Sequence, residues 1–170
     1  FRGKARHTSA GSLARTLGLR MKDLLPYDPG VLPTRPTPDP GTVIHIQVEG
    51  LPPIKELRQS IRNIKHPLHD RFKKLRRAAI QAMNGRAWSF GPIRMDLEIH
   101  SPIEEKRDSL IIYIGGVADT LDGSSGFTFT YLPIVYEDDS QICESSTSWV
   151  QASEASYVVR ITLLRSATEA

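Results

Sequence analysis

The apolar residues of this chain change period twice, and no other feature limits its fold as much. Ile44, Ile46 and Val48 alternate with His45, Gln47 and Glu49, the two-residue repeat of a strand with one buried face. Gly50, Pro52 and Pro53 end that strand. Leu68, Phe72, Leu75, Ala79 and Met83 then recur at helical spacing, and Gly85 supplies a stop behind them. Ile93, Met95, Leu97 and Ile99 return to strict alternation, and Val159, Ile161 and Leu163 repeat it within Val158–Leu164. Strand, helix, strand, mixed segment and late strand indicate an α/β (α+β) domain, a small mixed sheet carrying a basic amphipathic helix.

The segment between the second and last strands is less regular. Leu110 to Ile114 is continuously apolar, so its period does not separate strand from helix, and Gly115 and Gly116 weaken either. Asp122 to Gly126 reads as a loop and Phe127 to Val135 as a hairpin arm. The domain is expected to span residues 42–170, because residues 1–41 read as a basic, proline-rich extension. Pro33, Pro36, Pro38 and Pro40 forbid a continuous helix or a central strand there. Ser12 to Leu25 has the spacing of a short amphipathic helix, and Arg2, Lys4, Arg6, Arg15, Arg20 and Lys22 make the extension basic. It reads as a docking arm for a protein partner or nucleic acid, or as a disordered terminus.

With 170 residues and 39% hydrophobic content, the chain suffices for one domain with a core. No apolar run is long enough to cross a bilayer, and the start shows no signal-peptide pattern. The single cysteine, Cys143, forms no internal disulfide, which fits a reducing, cytoplasmic setting. The net charge of +3 hides an asymmetry. Lys55 to Arg77 holds nine Lys/Arg against two acids, whereas His100 to the end holds four against eleven. Charge alone is met equally by a solvated basic helix beside acidic loops and by a polyanion-facing surface beside a carboxylate cluster.

Four segments carry a more specific signal. Ile46 to Pro53 is a strand ending in a proline turn, and Pro67 to Met83 is the basic helix. Ile93 to Pro102 is a strand followed by Lys106-Arg107-Asp108, and Val135 to Ile142 contains Asp138-Asp139-Ser140-Gln141. In this order, over roughly Thr42 to Arg165, they resemble the RusA-like Holliday junction resolvases, the crossover junction endodeoxyribonucleases. The resemblance implies a homodimer that binds branched DNA, cleaves it with magnesium and serves DNA recombination and repair. Such chemistry needs a hard cation held by carboxylate oxygens, beside basic residues that hold the phosphates.

The resemblance carries the first Asp of the family motif onto Asp108 and the last onto Asp139, with Asp138 a further metal candidate. It then departs. Leu110 stands at the second Asp, Ile111 at the Asn and Ile114 at the Lys. These apolar replacements imply lost or altered cleavage, with Mg2+ required only if catalysis survives. Glu104, Asp119, Glu137 and Asp138 are conceivable substitute ligands. Otherwise they are ordinary solvated acids. Lys65, Arg71, Lys74, Arg77, Lys106 and Arg107 are the candidate DNA contacts, with Lys55, Arg58 and Arg62 as further ones, positioning phosphates without reading sequence.

Other constellations carry less. His66 and His69 flank Pro67 with no cysteine cluster nearby, which disfavours zinc. His100 could lie near the family site or simply on the surface. Trp88 and Phe90 could stack on bases or complete a core edge. Gly123-Ser-Ser-Gly126 is not followed by the Lys of a phosphate-binding loop.

Overall fold

The computed structural model describes residues 32–55, 60–102, 109–122, 124–125 and 130–165. A four-stranded mixed sheet is formed by β1 (Val43–Glu49), β2 (Ile93–Ser101), β5 (Ile142–Gln151) and β6 (Ser156–Leu163). Its order is β1-β6-β2-β5, antiparallel except for the β2–β5 pair. Helix α1 (His69–Met83) lies between β1 and β2 in sequence, and α2 (Leu110–Leu121) lies between β2 and β5. Ser124–Ser125 (β3) and Thr130–Tyr131 (β4) pair as a small separate hairpin. The domain is thus a mixed α+β fold, as the alternating periods indicate. Among the described residues, no helix is long and apolar enough to cross a membrane.

The alternation assigns the faces. Ile44, Ile46 and Val48, Ile93 to Ile99 at every second position, and Tyr157, Val159, Ile161 and Leu163 are all buried under the two helices. Leu75, Ala79 and Met83 from α1 and Tyr113, Val117 and Leu121 from α2 complete this core. The other face of the sheet is open and polar. There Arg94 pairs with Asp96 at 3.0 Å, and Glu98 lies between His100 and Arg160.

The ambiguous segment is a helix. Gly116 shows why the glycine pair is compatible with it. A Cβ there would stand 2.4 Å from the Pro53 carbonyl oxygen, so this turn of α2 must be bare for residues 51–55 to lie against it. The Lys55 amide closes that contact by donating to the Ile112 carbonyl at 3.0 Å. The end of α1 also differs from expectation. Asn84 takes the left-handed conformation first, φ 48°, and Gly85 follows it at φ 75°.

β5 has no counterpart in the sequence reading. It is an edge strand whose middle, Glu144–Ser148, is Ser, Thr and one Glu, with most side chains exposed, so it carries no alternating apolar signature. Its pairing with β2 skips Cys143, leaving that thiol exposed at a bulge. Residues 32–41 lie along the domain, with Thr34 and Arg35 donating to the Gly85 carbonyl at 2.9 Å and Gly41 donating to Leu163 at 2.7 Å.

Candidate functional site

A helix ends with four carbonyls that lack partners of their own, and their partial negative charge repels carboxylates. In α2 the Ala118 carbonyl already accepts the Asp122 amide at 3.2 Å, and all four are claimed from outside as well. The Ala118 carbonyl accepts the Tyr136 hydroxyl at 3.0 Å, and the Asp119 carbonyl accepts the Arg62 guanidinium. The Thr120 carbonyl accepts Arg76 at 3.2 Å, and the Leu121 carbonyl accepts the Ile134 amide at 3.1 Å. Arg76 is itself buried, stacks over Phe72 and also reaches the Leu132 carbonyl. Two guanidiniums and a phenol therefore fix the C-terminal end of α2 against α1 and residues 132–136.

That fixed end carries two acids, Asp119 and Asp122, three residues apart on one side of the helix. A third comes from Asp139, the first residue of a 3-10 turn spanning Asp139–Gln141. One carboxylate oxygen from each of Asp119, Asp122 and Asp139 lies within 4.8 Å of the others. The turn that delivers Asp139 is rigid for local reasons. Asp138 caps it by accepting the Ser140 amide at 2.8 Å, while Gln141 accepts the Glu137 and Asp138 amides at 2.9 Å. The Gln141 amide group also donates to the carbonyls of Ser89 and Gly91, tying the turn to the segment ahead of β2.

Two cations face the three acids. Lys55 is 3.2 Å from Asp119, and Arg62 is 3.0 Å from Asp122. One negative charge is left over. The Asp122 carboxyl is pushed up to about 7. Burial is the main cause, and Asp119, Asp139 and Asp138 add to it against the pull of Arg62. At neutral pH such a group takes either a proton or another cation.

The donor set suits a hard divalent ion. Opposite oxygens around magnesium stand about 4.2 Å apart, and around calcium about 5 Å. Three carboxylate oxygens within 4.8 Å of one another could draw together on one ion, with water completing the shell.

The sequence candidates fare differently. Asp139 joins the cluster, as does Asp119, one of the conceivable substitutes. Asp138 is adjacent, but its carboxylate caps the 3-10 turn, and the Ser140 hydrogen bonds hold it below the usual carboxylate range. Asp108, Lys106 and Arg107 lie outside the described residues. Leu110 and Ile114 pack against the core, whereas Ile111 is 76% exposed. These three occupy the first turns of α2, while Asp139 meets its last turn, about 14 Å along the axis at 1.5 Å per residue.

Lys65, Lys74 and Arg77 are exposed on and before α1, and Arg71 is half-buried. His66 and His69 are buried and hold the turn before α1, through Leu68 and Ile61 respectively. His100 sits on the open sheet face, 2.8 Å from Glu98, and holds that carboxyl below its usual range. Phe90 is 67% exposed beside the strap that Gln141 clamps, and Trp88 is half-buried.

Sequence reasoning missed Asp122, and it weighed Lys55 and Arg62 as phosphate contacts, whereas both pair with acids of the cluster. The Asp119-x-x-Asp122 spacing was the available signal for Asp122 once helix α2 is admitted. The pairing of Arg62 had no signal, because it is a contact across 60 residues. Neither protein-family models nor curated protein sequences match this chain.

Proposed function

We propose that this chain is a branched-DNA-binding protein of the RusA-like type. In this reading its cation site is altered and stands at the last turn of α2, on Asp119, Asp122 and Asp139. The convergence of these three carboxylates beside a basic helix carries the proposal. A divalent ion bound there would polarise a phosphodiester oxygen and make an adjacent water more acidic. The protein's own part is positional. Arg62, Arg76 and Tyr136 hold the α2 end, Gln141 holds the Asp139 turn, and Lys65, Lys74 and Arg77 offer exposed charge to a phosphate backbone.

A specific observation favours a second reading. Lys55 and Arg62 already pair with two of the three acids. A pseudoenzyme would use such pairs in place of a metal and keep only the fold and its binding surface, for DNA or for a protein partner.

One experiment separates them. The purified protein is incubated with a labelled four-way junction and a matched duplex, with and without magnesium or manganese. The altered-site reading expects paired, cation-dependent cuts at the junction that vanish in Asp139→Asn and in Asp122→Asn. Salt-sensitive junction binding without cuts establishes the second reading with DNA as its partner. Neither binding nor cutting ends the nucleic-acid reading.

A further inference from the structure

Of the large apolar side chains that the described residues expose, Phe90 is the one aromatic, at 67% exposure. A lone exposed apolar residue is ordinary. The hold on its backbone is not. Gln141 Nε2 donates to the Ser89 carbonyl at 3.0 Å and to the Gly91 carbonyl at 2.7 Å, so one amide group takes the carbonyls on both sides of Phe90. The Gly91 amide donates to the Ser89 hydroxyl at 3.1 Å, and the Ser89 amide to the Val135 carbonyl at 2.8 Å. Further out, the Trp88 carbonyl accepts the Thr37 hydroxyl at 3.0 Å, and the Pro92 carbonyl accepts the Leu164 amide at 2.9 Å. The Trp88 ring lies 6.5 Å from that of Phe90, tilted by 59°, within the range at which aromatic pairs attract.

Residues 88–92 are thus fixed with the Phe90 ring in water. A ring on a fixed backbone has few torsions left to order, so little conformational entropy is lost when a ligand covers it. The same Gln141 closes the 3-10 turn that begins at Asp139. The clamp on Phe90 and the turn carrying an acid of the cluster are therefore one unit. Phe90 does not border the apolar recess that Leu32, Ile80, Met83 and Trp88 help to line. Its neighbours in the chain are Ser89, which is buried, and Gly91, which has no side chain. A protein groove needs a contiguous apolar patch, whereas one ring face suffices for a nucleobase. In a continuous duplex the base faces are covered by their neighbours, and a face opens where that stacking is interrupted.

We propose that Phe90 contacts nucleic acid directly, its ring stacking on a base that is unstacked at a branch point. This rests on the branched-DNA reading above. It adds to that reading a residue that recognises the branch, where Lys65, Lys74 and Arg77 offer only charge to phosphates. The ring acts in binding and takes no part in chemistry at the cation site.

The test measures equilibrium binding of the full chain to a labelled four-way junction, a matched duplex and a single strand, at fixed salt and with EDTA present so that nothing is cut. Phe90→Ala is expected to weaken the junction and the single strand about tenfold and to leave the duplex unchanged. Phe90→Trp should restore the lost affinity, because any aromatic face stacks. Neither variant should lower the melting temperature, since the ring is mostly in solvent in the free protein. Junction binding that is intact in Phe90→Ala overturns the proposal and leaves the DNA reading standing. Equal losses on all three DNAs, or a loss that Phe90→Trp does not restore, also overturn it. A native chain that binds none of the three ends both readings. A smaller sedimentation coefficient for Phe90→Ala without DNA would assign the ring to an interface between copies of the chain, and the base contact would fall.

Discussion

Asp122 couples the candidate site to stability. Its ordinary value is 3.8, and the folded state raises it to about 7, so the folded chain holds this proton more tightly than the unfolded one. A raised folded value contributes stability that is complete below the unfolded value and is lost as pH rises through the folded one. The metal-free protein is therefore expected to have a lower urea midpoint at about pH 8 than at about pH 5, and Asp122→Asn should flatten the difference. An unchanged slope in the variant would assign the pH dependence to other groups. The same logic covers the cation. Magnesium or manganese should raise the melting temperature of the native chain at about pH 8 and leave that of Asp139→Asn unmoved, since an ion that binds only the folded state stabilises it by mass action. A shift that survives in Asp139→Asn would place the ion elsewhere.

At the scale of elements, α2 is held at both its middle and its end. Gly116→Ala tests the middle. Helix propensity alone favours alanine by about 1 kcal/mol. The added methyl, however, meets backbone atoms of Pro53 and Ile54 that have no rotamer to change. A net loss of about 1–3 kcal/mol is expected in denaturant unfolding. Gly115→Ala is the control, because its methyl meets Lys55 side-chain carbons at 3.1 Å and beyond and no backbone atom. Equal effects at the two positions would rule out the Pro53 contact as the cause. Arg76 tests the end. Its removal leaves the Thr120 and Leu132 carbonyls without their shared donor, so Arg76→Met should weaken divalent-cation binding along with stability. A variant that loses stability but binds the cation normally would show that Arg76 does not position the acids.

The whole molecule is a sheet with one dry face and unequal strands. β2 and β6 lie in the middle of the order, while β1 and β5 are edges. Buried, doubly paired strands open only with the whole fold. Amide hydrogen exchange should therefore be slowest in β2 and β6 and distinctly faster in β5, whose side chains are mostly exposed. Comparable protection in β5 would mean that its edge is covered in solution, which also bears on the expected homodimer.

The sequence by itself determined the alternation of β1, β2 and β6, the apolar stripe of α1 and the polarity of the unburied face. Those features are periodic, and a period is written along the chain. Asp139 was singled out by the family resemblance, and the turn around it is built by its own Asp138, Ser140 and Gln141. Tertiary structure decided the rest. The apolar run Leu110–Ile114 is helical because it belongs to an element that packs against residues 51–55, and β5 is a strand because β2 offers it a pairing edge. Asp119 and Asp122 became part of one cluster only when α2 set its last turn against the Asp139 turn. Arg62 and Arg76 take their roles from neighbours far along the chain. Contacts of that kind depend on where elements meet, and no local pattern of residues records it.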